Sequence, residues 1–151
     1  MRFAIPAVLA VLLIATVPLR ASGFDDKIPD QQSINELAVK ASQAHPREQC
    51  FLYAELVHEM TELSVRQYAA GDVEKAAGLL KQIQELTRKI HLSVAENDKR
   101  MRNTEILLRH TAFRLTGLLH SSSFEDQTLV AETLADVNQV QNEAMMQVFR
   151  K

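Results

Sequence analysis

One stripe of residues constrains the fold of this chain more than any other feature. It extends from residue 76 to residue 118 with spacings that alternate between four and three residues, and most of its members are apolar. The members are Ala76, Leu80, Ile83, Thr87, Ile90, Val94, Asn97, Met101, Thr104, Leu108, Thr111, Leu115 and Leu118. This heptad spacing places them all on one face of helical backbone, so the pattern predicts an all-α fold.

The length of the helix that carries this stripe is open to two interpretations. The spacing is unbroken, and no Gly or Pro occurs within 79–116, which favours one helix over about 73–119, roughly 70 Å long. The polar run 97–103 favours a turn instead, with Asn103 or Thr104 capping a new helix and four helices of similar length in an up-down bundle. We adopt the long helix, with a bend at this run, as the expectation.

A short first helix is predicted ahead of the second one. Ser33 and Glu36 form the pattern of a capping box, which marks the helix start. The helix must end near His45, because Pro46 disfavours the α conformation in the residue before it. Pro46 itself suits the first turn of the second helix, which we expect to continue to about Ala70.

The second helix is predicted to lie at the surface with one buried stripe. Its apolar side chains gather on one side: Tyr53, Leu56, Val57, Met60, Leu63 and Tyr68. Its charged side chains gather on the other: Glu48, Glu55, Glu59, Glu62 and Arg66.

A tight turn is predicted between the second and third helices. Gly71 suits the left-handed conformation after a helix end, and Asp72 can cap the next helix. The segment 68–76, with Leu80 beyond it, resembles the turn inside a tetratricopeptide repeat over about 20 residues. We find no second copy in the sequence, so the resemblance implies a helical hairpin at this point and is not extended to the whole chain.

The last helix follows a serine loop at 121–123. Ser122 with Glu125, or Ser123 with Asp126, has the spacing of a capping box. The apolar stripe of this helix consists of Val130, Leu134, Val137, Ala144 and Val148. The predicted fold is therefore an antiparallel bundle of three to four long amphipathic helices preceded by a short helix.

The first 23 residues have the three parts of a cleavable signal peptide. Arg2 supplies a positive start, residues 4–17 are mostly apolar, and small residues precede the expected cleavage point after Gly23. A retained anchor is the alternative, but a spanning helix needs about 20 apolar residues. We therefore expect a protein exported to the periplasm or secreted, with a flexible segment at 24–33 and a single helical domain at 34–151.

Charge and motifs argue against several functions. Without Arg2 and Arg20 the net charge is −4, which gives no support for nucleic-acid binding. The basic stretch 87–120 lies between acidic ends, which favours helices whose charges face one another over the alternative of an anionic partner. The nucleophile-elbow, phosphate-loop, dinucleotide and His-Glu-x-x-His motifs do not occur in the sequence, so we expect neither catalysis nor a cofactor.

Metal or haem binding is the alternative function. Glu55 and His58 form one Glu-x-x-His motif, whereas di-iron bundles need two. Together with Glu62 they are the metal-ligand candidates of the sequence. A solvated Glu–His pair is the favoured interpretation. A noncovalent haem would need a Met and a His across the core. The available residues are Met60, Met101, Met145, Met146, His110 and His120.

The favoured function is protein–protein or envelope interaction. A helix over 73–119 would carry more apolar stripe than a thin bundle can bury, so a homodimer or another protein partner is expected to cover the rest. Cys50 is the only cysteine, which excludes an internal disulfide. A buried, inert thiol is favoured over a disulfide to a second chain.

Overall fold

Helices account for nearly all of the chain that the structure describes. The computed structural model describes residues 28–96 and 99–150. Its helices are α1 (Gln31–Gln43), α2 (Pro46–Ala69), α3 (Val73–Ser93), α4 (Met101–Ser121) and α5 (Phe124–Val148). The all-α prediction is confirmed for these residues, whereas the predicted signal peptide lies outside them. None of the described helices has the length and apolar character needed to cross a membrane.

The four long helices form a bundle, and α1 packs against α2. In this bundle α2 lies beside α3 and α4, and α5 lies beside the same two helices. Side-chain contacts show that α2 runs parallel to α4 and α3 parallel to α5. The contacts are His58–Thr111, Glu62–Arg114, Gln84–Thr133 and His91–Glu143. Two helical hairpins, α2–α3 and α4–α5, therefore lie side by side in the same orientation.

The single helix predicted over 73–119 is wrong. α3 ends at Ser93, a 3-10 turn follows at Val94–Glu96, and α4 begins at Met101. The twelve stripe residues that the structure describes are nonetheless all buried. The heptad thus identified the buried face correctly. It could not distinguish one long helix from two that turn back on each other, because both bury the same face.

The turn between α3 and α4 lies where the polar run predicted it, but with a different cap. Arg100 is the N-cap residue of α4, and its side chain makes no capping hydrogen bond. The proposed caps Asn103 and Thr104 both lie inside α4. The Arg100 guanidinium instead stacks on the ring of Phe51, 3.5 Å from the ring centre, and this contact ties the turn to α2.

The cap of α1 also differs from the prediction. Asp30 is the N-cap residue, and its carboxylate accepts a hydrogen bond of 2.7 Å from the Ser33 amide. The Ser33 hydroxyl accepts one of 3.1 Å from the Asp30 amide. Ser33 is therefore the far member of a capping box, and its predicted pairing with Glu36 is wrong.

The two hairpin turns lie where they were predicted. Gly71 has a φ of +84°, which confirms the left-handed residue after α2. Asp72 and Ser123 occupy the N-cap positions of α3 and α5, but neither side chain bonds to the backbone of its helix. The Ser123 hydroxyl donates to the Asp126 carboxylate at 2.7 Å instead.

The environment of α2 corrects the expectation of a surface helix. No residue from 50 to 65 is exposed, because α1, α3 and α4 all pack against α2. Cys50 is a fully buried free thiol, and burial raises its pKa to about 11. These findings favour the inert thiol over a disulfide to a second chain.

Five threonines lie in the core. Each hydroxyl donates to a carbonyl oxygen in the preceding turn of its own helix or next to it, at 2.7 to 3.1 Å. They are Thr61, Thr87, Thr104, Thr111 and Thr133. Their buried polar groups are therefore satisfied without a partner on another helix.

Candidate functional site

A groove follows the junction of α2 and α4, and the sequence-predicted site residues lie along it. The groove has a volume of about 390 Å³ and is lined by Phe51, Glu55, His58, Glu59, Asn103, Ile106, Leu107 and His110. A neighbouring cavity of about 530 Å³ shares His58 and Glu59 and adds Glu62, Arg66 and Arg114. The charged side of α2, expected to face solvent, thus faces α4.

His58 is held in a defined orientation between the two helices. Its Nδ1 lies 3.0 Å from the Thr111 hydroxyl, and that hydroxyl donates to the Leu107 carbonyl at 2.9 Å. Because a hydroxyl has only one proton, Thr111 must accept from His58, so Nδ1 carries the hydrogen. Burial lowers the pKa of His58, partly offset by the nearby Glu62 carboxylate. At neutral pH this lowered pKa favours the uncharged imidazole, in which Nε2 is the acceptor.

Glu62 is engaged in an ion pair across the same junction. Arg114 donates to its two carboxylate oxygens at 2.6 and 2.9 Å. This pairing raises the pKa of Arg114 above its usual value. A bidentate pair of this kind fixes the position of both side chains, so the carboxylate of Glu62 serves to join α2 to α4.

The metal candidates are brought to one side of α2 but not into a ligand cluster. Glu55 and His58 line the groove, and Glu62 is paired with Arg114. Within 28–96 and 99–150, no three His, Cys, Asp or Glu side chains lie close enough together to hold a metal ion.

The haem candidates are separated by the fold. Met60 and Met101 are buried, whereas His110 and His120 are exposed on α4. Met145 and Met146 are exposed at the end of α5. A Met and a His facing each other across the core, as the haem alternative requires, are therefore not brought together by these residues.

A second candidate site lies on the side of α5 that faces away from the bundle. Eight exposed residues recur there with spacings of four and three: Phe124, Thr128, Ala131, Ala135, Asn138, Asn142, Met145 and Phe149. We call these eight residues the α5 outer face. Phe124 is 88% exposed and Phe149 is 78% exposed. None of the eight is charged, although five acidic residues occur between its first and last members.

Charge is present on the outward sides of α1, α3, α4 and α5, and on α5 it is confined to positions beside the eight, where Glu125 and Glu132 are exposed. Exposed charged residues occur on α1, α3 and α4: Glu36, Lys40, Lys81, Glu85, Arg88, Arg102 and Arg109. Phe113 and Leu92 are exposed beside some of these charges, as single apolar residues on protein surfaces commonly are. A long uncharged helix face with exposed aromatic residues at both ends is the less usual feature.

Sequence reasoning missed the α5 outer face because it followed apolar residues alone. The central members are Ala and Asn, which do not stand out as a hydrophobic stripe. The signal that could have revealed it is the absence of charge at heptad spacing, since every acidic residue of α5 falls outside the eight positions.

Comparison with protein-family models, with curated proteins and with solved structures finds no match for this chain.

Proposed function

We propose that this protein is exported and acts by binding another protein chain through the α5 outer face. The observation that supports this proposal is the exposed, uncharged heptad from Phe124 to Phe149. A helix presents such a face to a partner helix in two-helix packing. Export follows from the signal-peptide pattern of the first 23 residues.

The binding surface in this proposal differs from the one that the sequence suggested. The stripe from Ala76 to Leu118 was expected to exceed what the bundle can cover, but its described members are buried within the bundle. That stripe therefore offers nothing to a partner. The α5 outer face remains exposed after the bundle is complete.

A protein partner suits this face better than a membrane. Helices that lie on membranes combine a large apolar face with a basic rim. Here the middle of the face consists of the small or polar residues Ala131, Ala135, Asn138 and Asn142. Its rim is of mixed charge, with exposed Glu132 on α5 and exposed arginines on α4. Small and amide side chains allow close approach and hydrogen bonding between helices.

Site-specific photo-crosslinking tests this proposal in cells that export the protein. A photoreactive residue at Ala135 is expected to give a discrete protein adduct, whereas one at Lys81, exposed on α3, is not. Ala131→Glu should abolish the adduct, and Gln82→Glu, which adds the same charge on α3, should leave it intact. Equal adducts at both positions, or none at either, would contradict the proposal.

The export step is tested separately by mass spectrometry of the extracytoplasmic protein. The expected species begins at Phe24, after removal of the first 23 residues. A full-length species held in the membrane fraction would instead support the retained anchor.

A further inference from the structure

We propose that the partner bound by the α5 outer face is a second copy of this chain, with the two α5 helices parallel across a two-fold axis. This inference rests on the proposed function, because it names the protein that the face binds. It is argued from the order of residues along the face, from the charges on its two sides and from its length.

The order of residues suits pairing of each position with its own equivalent. In a parallel two-fold pair, every residue of the heptad meets the same residue of the other helix. Phe124 and Phe149 then pack against their equivalents at the two ends. Ala131 and Ala135 let the helix axes approach closely between them.

The amide side chains fit the same arrangement. An Asn side chain both donates and accepts hydrogen bonds, so two Asn138 amides facing each other satisfy one another. A buried Asn pair of this kind fixes the register of parallel helices. Asn142 repeats the arrangement one turn further along, towards Met145.

The charges beside the face favour the parallel orientation. On the α3 side of α5, Glu143 contacts His91 at 2.8 Å, and Asp136 lines a cavity with Arg88 and His91. On the α4 side, Arg102 and Arg109 are exposed. Glu105 also lies on the α4 side, 3.7 Å from Arg109. Among these residues, carboxylates outnumber guanidinium groups on the α3 side, and guanidinium groups outnumber carboxylates on the α4 side.

The contact between α4 and α5 shows where these charges lie along the axis of α5. Gln141 donates to Glu105 at 2.9 Å across the antiparallel pair, so Arg109 stands level with residue 137 of α5. A parallel two-fold axis places the α3 side of one copy against the α4 side of the other. Arg109 then faces Asp136 of the second copy, whereas antiparallel pairing would place the two α3 sides, on which carboxylates outnumber guanidinium groups, against each other.

The size of the face indicates a weak dimer. From Phe124 to Phe149 it is about 38 Å long. Two helices in contact over that length bury about 1,100 Å² in total if the contact is about 15 Å wide, near the lower limit for a specific interface. We therefore expect a dissociation constant in the micromolar range, with dimers at high protein concentration and monomers on dilution.

Disulfide trapping tests the second copy and its orientation together, in the mature chain 24–151 as exported. Parallel pairing places position 128 beside position 128 and position 135 beside position 135, so Thr128→Cys and Ala135→Cys should each form a covalent dimer on mild oxidation. Gln82→Cys, exposed on α3, should not. The native Cys50 is fully buried and can remain in all three variants.

Antiparallel pairing gives a different result. With Phe124 opposite Phe149, the two copies of position 128 would be about 26 Å apart along the axis, whereas the two copies of position 135 would remain close. Trapping of Ala135→Cys alone would therefore overturn the parallel arrangement. Trapping of neither variant would overturn the second copy as partner.

Sedimentation analysis over a range of concentrations provides the matching test without cysteines. Ala135→Glu should weaken the dimer at least about tenfold, because it places two carboxylates at the centre of the contact. Gln82→Glu should leave the dissociation constant unchanged. Equal weakening by both variants, or a chain that is monomeric at every concentration, overturns the inference.

The outcomes separate this inference from the function on which it rests. A monomer that still forms an adduct from Ala135 with a different protein overturns the second copy and leaves the proposed function standing. A monomer that forms no adduct overturns both.

Discussion

Helices α2 and α5 are similar in length but occupy opposite kinds of environment. No residue from 50 to 65 of α2 is exposed, because three other helices pack around it. α5 has two neighbours in the bundle, α3 and α4, and leaves one whole side exposed. The comparison indicates that α2 supports the stability of the bundle, whereas α5 leaves exposed the side that we propose as a binding surface.

Matched methionine substitutions should show the largest difference between the two helices. Met60 of α2 is 2% exposed and Met146 of α5 is 64% exposed. Met60→Ala should lower the free energy of unfolding by about 2–5 kcal/mol because it leaves a cavity, whereas Met146→Ala should change it by less than about 0.5 kcal/mol. Urea denaturation followed by circular dichroism measures both, and equal losses would show that α2 is no more central than α5.

Thiol reactivity compares the same two helices kinetically. The Ala135→Cys variant is used at low concentration, where the protein is monomeric. Its new thiol on α5 should react with an aromatic disulfide reagent at least about a hundredfold faster than Cys50, because Cys50 reacts only when the structure opens. Burial also raises the pKa of Cys50 to about 11, so little thiolate forms. Two thiols that react at the same rate in the absence of urea would contradict the buried position of Cys50.

Ion pairs should show a smaller difference. Arg114→Leu removes the bidentate partner of Glu62, which is only 27% exposed, and should cost about 1 kcal/mol. Arg88→Leu removes a pair within α3 whose partners are 70% and 67% exposed, and should cost close to nothing. A larger loss from Arg88→Leu in urea denaturation would mean that the contact between α2 and α4 contributes little.

The pH dependence of His58 should give the smallest effect. Burial lowers the pKa of His58 in the folded protein, so at low pH the unfolded chain binds a proton that the folded chain does not. The stability that this histidine contributes is therefore present above about pH 6.5 and is lost as the pH falls below it. His58→Gln, which can still donate to Thr111, should remove this part of the pH dependence. If the urea midpoints of the variant and the native protein fall by the same amount as the pH is lowered below about 6.5, His58 makes no such contribution.

The sequence predicted helix positions well because capping and breaking residues act locally. Pro46, Gly71 and the serines before Phe124 mark chain turns whatever the tertiary structure. The heptad from Ala76 to Leu118 likewise identified a buried face. We expected one continuous helix where the structure has a turn between Ser93 and Met101, because a heptad indicates which side is buried but not where the chain reverses.

The candidate site was less predictable because it depends on which helices become neighbours. Glu55 and Glu62 were assigned to the charged side of the second helix, but the sequence of α2 alone does not show that α4 covers this side. The charge pattern predicted facing charges in general terms, and Arg114 with Glu62 is one such pair. The helices that this pair joins, α2 and α4, run parallel because the two hairpins lie side by side, and no local sequence pattern encodes that arrangement.

The buried threonines have a consequence for how the helices keep their alignment along the bundle axis. Because each hydroxyl bonds within its own helix, sliding one helix past another would break none of these bonds. Of the five buried threonines in the described part of the chain, two also accept from a neighbouring helix, Thr111 from His58 and Thr133 from Gln84. Together with Glu62–Arg114 and His91–Glu143, those two contacts oppose sliding of α4 along α2 and of α5 along α3.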